Sequence, residues 1–242
     1  MNFRSYVMSK GIYEFEKTNK ASQKDYTEEK ICNHINVICD LHERLKECSI
    51  PTINLTNKMV EDFKVAELFL RQDIERYKID SKNKFEMRVS KLGPEVLERI
   101  RKVLSVIEQS NYESIVLRSL KNKEICVYNV SLNQICEDGN SHIYVKNINE
   151  FCENILEYDY IKFLTKIKRM TSGVDFLKCC AYICSKEEFG IDSYNFILAS
   201  ISFPYEFTRV ISKYRDFGRH LSNFSNEIDF DDVFQKDGES LV

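Results

Sequence analysis

Three kinds of residue in this chain could do chemistry: thiols, a histidine among them, and a run of side-chain amides. The nine cysteines (Cys32, Cys39, Cys48, Cys126, Cys136, Cys152, Cys179, Cys180 and Cys184) are odd in number. They sit in apolar runs rather than at loop-like spacings, which is the pattern of buried thiols. A metal site would recruit Cys32, Cys39, His42 and Cys48, but no C-x-x-C pair occurs and the spacing fits no zinc finger or ribbon; no metal or other cofactor is expected. His42 shares a helical stripe with Ile31, Ile35, Ile38 and Leu45, where a histidine is more often a satisfied core residue than a ligand or base. The amides Asn129, Gln134 and Asn147 read, on their own, as loop and turn residues. Lys162, Lys166 and Arg169 recur at steps of four and three, the spacing of a solvated helix face or of a docking surface for a regulatory partner.

The elements that must position these groups are mostly helical. The chain has 242 residues, 43% of them apolar, enough for a buried core. A net charge of −3 provides no positive field for nucleic acid or an anionic membrane, so neither is expected as a partner. The first thirty residues lack a signal-peptide core, and no stretch approaches about 18 uninterrupted apolar residues; a cytoplasmic protein is expected. Tyr6–Ser9 and Ile12–Phe15, around Gly11, suggest a short extended hairpin. Asp25 and Glu28 have capping-box spacing before a helix over 26–48. A second helix carries Met59, Phe63, Ala66, Leu70, Ile74 and Tyr77 on one face. Gly93-Pro94 punctuates the chain, with Pro94 opening a third helix along Val96, Ile100, Val103 and Ile107. Leu117 to Leu120 ends a fourth.

The period then changes. Ile125–Tyr128, Ile135-Cys136 and Ile143–Val145 are short apolar runs, and Asp138-Gly139 between the last two is a favoured hairpin turn. Helices follow over 158–170, 174–184 and 194–201, and from Pro204 to about Tyr214. Residues 219–242 become acidic and lose periodicity, the composition of a mobile tail. The expected organisation is a linker or strand over 1–24, one helical lobe over 25–218 and the tail.

The run Ile125-Cys126-Val127-Tyr128-Asn129-Val130-Ser131-Leu132-Asn133-Gln134-Ile135, followed by Ile143-Tyr144-Val145-Lys146-Asn147-Ile148-Asn149, resembles the aminoglycoside-phosphotransferase-like spore-coat family of endospore-forming bacteria, the CotS type. Tyr158-Asp159-Tyr160-Ile161-Lys162-Phe163-Leu164 looks like that family's Y-D-L-x-x-F-L helix start, and Ala199–Phe207 looks like its apolar run with F-P near the end. The resemblance implies an α+β, predominantly α-helical fold, a protein-kinase-like C-terminal lobe with a small β-hairpin. Val127, Tyr128 and Asn129 then stand where the family has H-G-D, Gln134 where it has a metal-binding Asn, and Asn147 where it has a metal-binding Asp. Asp159 would be kept for structure, capping a helix or orienting the loop.

The departures from the family pattern set the functional expectation. Magnesium is held in such sites by carboxylates and phosphates, and neutral amides remove that attraction. An amide cannot take the proton of an acceptor hydroxyl. Only Gly11 and Gly93 precede residue 128, so no glycine-rich phosphate cradle is found, and the family's nucleotide-clamping lobe is expected to be missing. The expectation is therefore a pseudokinase-like chain that is not an enzyme and carries no catalytic residue. It would act among spore-coat or sporulation proteins, in the mother cell and then the coat. The alternatives are a small-molecule phosphotransferase drawing charge from Asp138, Glu150 or Glu153, and a helical regulatory binding module.

Overall fold

The computed structural model describes residues 2–15, 26–171, 173–216 and 228–242. The fold is mostly helical with two small three-stranded sheets. Where the sequence suggested one lobe, the chain divides into two compact units. One comprises Met1–Asn57 with Ser110–Leu198, the other Lys58–Gln109 with Ala199–Val242. The division falls within helix α8 (Ile191–Ser202).

In the first unit, α1 (Phe3–Ser9) starts where the Asn2 side chain accepts the Ser5 N–H, and Gly11, at φ +74°, turns the chain into β1 (Ile12–Glu14). The hairpin expected here is thus a helix and a strand. Val7 is buried, and β1 pairs in parallel with β5 (Ile143–Val145) rather than with its own neighbour. Helix α2 (Glu28–Leu45) is capped by Thr27, whose hydroxyl accepts the Lys30 N–H; Asp25, the expected cap, lies outside the described residues. Its inner stripe of Ile31, His34, Ile35, Ile38, Leu41, His42 and Leu45 is buried, as the periodicity required.

Strand β2 (Ile53–Asn54) and β3 (Ile125–Cys126) flank β6 (Cys152–Glu153) in one sheet. In the other sheet β4 (Ile135–Glu137) runs antiparallel to β5. Their connection is not the two-residue Asp138-Gly139 turn. Asp138 and His142 still pair through the backbone, and Ser141, at φ +59°, takes the left-handed position. The Asp138 carboxylate closes this loop by accepting the Asn140 and His142 N–H groups. Helices α5 (Tyr112–Asn122), α6 (Glu157–Met170) and α7 (Phe176–Glu187) complete the unit.

In the second unit α3 (Lys58–Ile79) and α4 (Lys84–Gln109) form a helical hairpin. Gly93-Pro94 does not begin α4 but lies inside it. Pro94 forgoes a backbone hydrogen bond, which alone would favour a break. The helix continues because Gly93 is pressed against α3: a Cβ there would lie 2.7 Å from Ile74 Cγ1. Helix α9 (Tyr205–Asp216) packs on α10 (Phe230–Asp237), with Phe207 and Phe230 5.8 Å apart. Residues 228–242 therefore depart from the expected mobile tail, while 219–227 lie outside the described residues. The Asp229 side chain caps α10, Phe230 and Val233 are buried, and the Asp237 carboxylate accepts the Glu206 and Phe207 N–H groups at the start of α9. No helix among the described residues is long and apolar enough to cross a membrane.

The close approach at Gly93 is testable. Gly93→Ala is expected to destabilise the chain by about 1–3 kcal/mol in urea unfolding, because overpacking outweighs the better helix propensity of alanine. An unchanged or raised midpoint would show that α3 and α4 are not in contact there.

Candidate functional site

The loop between β3 and β4, residues 127–134, carries most of the motif positions, and its backbone is held by side chains from two helices. Asp159, in the first turn of α6 and with no exposed surface, accepts the Val127 N–H at 2.8 Å and the Tyr128 N–H at 3.2 Å. The oxygen that accepts from Val127, Oδ2, also accepts from His42 Nε2 at 3.2 Å, and His42 Nδ1 donates to Glu187 Oε1 at 2.7 Å. Tyr160 donates its hydroxyl to the same Glu187 oxygen. The chain of contacts thus runs from α7 through α2 and α6 to the loop.

Two histidines of α2 serve this loop in opposite charge states. Burial would push His42 down, but the Glu187 charge and hydrogen bonds to Asp159 and Glu187 carry it up to about 10, so it is an imidazolium. Burial acts against the Glu187 carboxylate as well, and the His42 charge overcomes it, leaving Glu187 below its ordinary value. His34, eight residues earlier on the same stripe, has no carboxylate beside it. Burial lowers it to about 4, and as a neutral ring it donates from Nε2 to the Val130 carbonyl at 2.6 Å while packing on Phe163. His34, Tyr160 and Glu187 were not singled out from sequence; the eight-residue spacing of His34 and His42 was the one available signal.

A second ion cluster backs the same region. Arg118 of α5 reaches Glu124 at 2.8 Å and Glu157 at 2.7 Å, and Glu124 in turn accepts the Leu156 N–H ahead of α6. Burial opposes the guanidinium charge, but both carboxylates hold Arg118 protonated.

Asn129 is exposed. The Ser131 hydroxyl makes its shorter contact with Asn133 Oδ1, at 2.9 Å, and reaches Asn129 Oδ1 only at 3.4 Å. Asn147 Oδ1 accepts the Asn149 N–H and caps a 3-10 turn, Ile148–Glu150, while Asn147 Nδ2 donates to Glu150 Oε1 at 3.1 Å. Gln134 is buried, and no hydrogen-bond donor among the described residues reaches its Oε1. A buried amide oxygen left in that state is costly.

Of the three acids considered as alternative charge sources, only Glu150 touches a motif position. Asp138 is occupied by its hairpin loop, and Glu153 accepts the Thr52 N–H and the Asn54 side chain. The basic stripe is also not uniform. Lys162 lies over the Tyr128 and Tyr158 rings, and burial lowers Lys166.

A hard divalent cation takes oxygen ligands, with one or two carboxylates beside donor phosphates rather than a full protein cage, and the motif positions offer Gln134 Oε1 and, through Asn147, the Glu150 carboxylate. The four residues considered for zinc are not brought together. Cys39 donates to the Lys186 carbonyl and Cys48 to that of Ile50. Among the described residues, His42, Cys126 and Asp159 are the one group whose ligand atoms converge within 4.8 Å. Both His42 nitrogens already donate to carboxylates, and Cys126, its thiol pushed far up by burial, donates to the Ile155 carbonyl at 3.0 Å. With the ring and the thiol both acting as donors, the ligand atom this group leaves to a metal is the Asp159 carboxylate.

No protein-family model and no curated protein matches the chain. Among solved structures, it is similar to the aminoglycoside phosphotransferase of Alicyclobacillus acidocaldarius, with a TM-score of 0.68 at 12% identity. The match covers 92% of this chain, which spans 64% of that protein's length. The fold is therefore that of a kinase-like phosphotransferase. This corrects the expectation of a pseudokinase-like chain that is not an enzyme, because the fold is shared with a protein named for phosphoryl transfer. The spore-coat resemblance rests on the motifs alone.

The charge on His42 gives a pH dependence. A group whose value is raised from 6.5 unfolded to about 10 folded contributes stability that is complete below 6.5 and lost as pH rises through 10. Between pH 7 and 8.5 the unfolding free energy of the wild type is expected to fall by about 2 kcal/mol more than that of His42→Gln, since thiol ionisation in the unfolded chain is common to both. A wild-type profile parallel to that of the variant would show that His42 is neutral.

Proposed function

We propose that this chain is the loop-bearing part of a small-molecule phosphotransferase, moving a phosphoryl group from a nucleoside triphosphate to an acceptor hydroxyl with a residue set unlike that of the family it resembles. The observation that carries the reading is the buried, partnerless Gln134 Oε1 on a loop whose backbone is tied down by Asp159 and His34. A buried loop amide oxygen that no described protein donor reaches is suited to a positive ligand.

In phosphoryl transfer most of the catalysis comes from positioning and charge stabilisation rather than from proton abstraction. Asn129 Oδ1 accepts a hydrogen bond from the acceptor hydroxyl and aims it. It takes no proton, so as the acceptor O–P bond forms and the donor P–O bond breaks, that proton passes to a phosphoryl oxygen or to water. A divalent cation held by Gln134 Oε1 and Glu150 would supply the positive charge that family members obtain from a metal held by acids. Asn147 fixes Glu150 through its amide N–H and shapes the turn that presents it. The motif resemblance adds a setting, the sporulating mother cell with other coat proteins as partners, and transcription confined to that cell would support it.

Incubated with magnesium, γ-labelled ATP and a panel of sugars and amino sugars, the chain is expected to label an acceptor. Gln134→Ala and Glu150→Gln should each lower the rate about 10- to 100-fold through weakened metal binding, and Asn129→Ala by about 10- to 100-fold through lost aim. Absence of label transfer, together with no heat on titrating magnesium and ATP, would overturn the reading.

A further inference from the structure

Tyr128 occupies a backbone conformation that its side chain disfavours. At φ +65° it lies in the left-handed region, where a Cβ crowds the following carbonyl and glycine is the natural occupant. The conformation itself is set by the backbone, since the Tyr128 N–H donates to Asp159 Oδ1 whatever the side chain. Burial of the ring does not offset the strain, because Tyr128 is 46% exposed. A strained aromatic residue held open to solvent, one position before Asn129, calls for a use.

Its neighbours define one. The Tyr158 ring lies 5.9 Å away at an interplanar angle of 33° and is itself buried. The Lys162 ammonium stands 5.5 Å from the Tyr128 centroid and 5.2 Å from that of Tyr158, on an exposed residue. The result is an aromatic face edged by a cation. Its backbone is fixed, and the Tyr128 Cα stands one step, about 3.8 Å, from that of Asn129, the residue assigned to the acceptor hydroxyl.

We propose that Tyr128 and Lys162 form an acceptor subsite for a sugar ring bearing an acidic group. The apolar C–H face of the sugar stacks on Tyr128, its phosphate or carboxylate meets Lys162, and a ring hydroxyl is left beside Asn129. The same cation disfavours polyamine sugars. A nucleobase would satisfy the aromatic face but would bring no hydroxyl to Asn129. This deepens the phosphotransferase reading and rests on it for the role of the hydroxyl, though not for binding.

With no tryptophan in the chain, tyrosine emission can report titrations of the full-length protein with glucose 6-phosphate, glucuronate, glucose, kanamycin and inorganic phosphate. At least one of the two acidic sugars should bind ten-fold or more tightly than glucose, kanamycin and inorganic phosphate. Whichever of them does so identifies the acidic group. Tyr128→Gly should weaken that binding at least ten-fold, while its melting temperature, read by circular dichroism, equals or exceeds that of the wild type. Calorimetry should show Tyr128→Phe binding as the wild type does, and Lys162→Met should bring acidic and neutral sugars level. The proposal is overturned if no sugar binds, if inorganic phosphate competes as well as glucose 6-phosphate, or if Tyr128→Gly melts lower with binding unchanged. Binding without label transfer would leave the subsite standing and remove the phosphotransferase reading. Transfer to a neutral acceptor, indifferent to Tyr128→Gly, would do the reverse.

Discussion

A carboxylate with no exposed surface, Asp159, must find partners for both oxygens or be expelled from the core. It finds them in two loop N–H groups and in the His42 imidazolium, whose own charge is sustained by Glu187. Each member makes the burial of the next tolerable. Removing one strands a charge in low dielectric, which costs more than the pair contributes when intact. The geometry of residues 127–134 follows from this arrangement, because a loop whose first two amides are fixed, and whose Val130 carbonyl is pinned by His34, has little freedom left.

The same arrangement explains why one helix supplies two histidines of unlike charge. Both rings of α2 are almost fully buried, so solvent does not distinguish them. What differs is the company: two carboxylates at one ring, a carbonyl and the Phe163 ring at the other. The Val130 carbonyl favours a charged His34, but burial outweighs that pull and leaves the ring neutral. The charged ring suits an anion already committed to the loop.

Much of this was legible in the sequence, and the limits were physical. The α2 stripe could be read because its period is helical, and the loop positions because their spacing matched a known motif. The His42 charge could not, since its partners Asp159 and Glu187 lie more than a hundred residues further along the chain. Gly93-Pro94 reads locally as a helix start, but packing against Ile74 overrides that preference. Strands β2 and β6 are two residues long, too short to carry any period. The acidic tail looked solvated because its charges hid the spacing of Phe230 and Val233, which is that of a helix face. The Gln134 oxygen depends on which atoms fail to reach it, and spacing holds no trace of that.

The parallel pairing of β1 with β5 ties Ile12–Glu14 to Ile143–Val145, and each of the two units is assembled from separated stretches of chain. During synthesis the α3–α4 hairpin, built from contiguous residues, can close as soon as it leaves the ribosome, since local contacts form fastest. The first strand has nothing to pair with until some 130 further residues have been made. Its apolar residue Ile12 thus waits for its partner until β5 has been made, although its strand is the first of that sheet to be born.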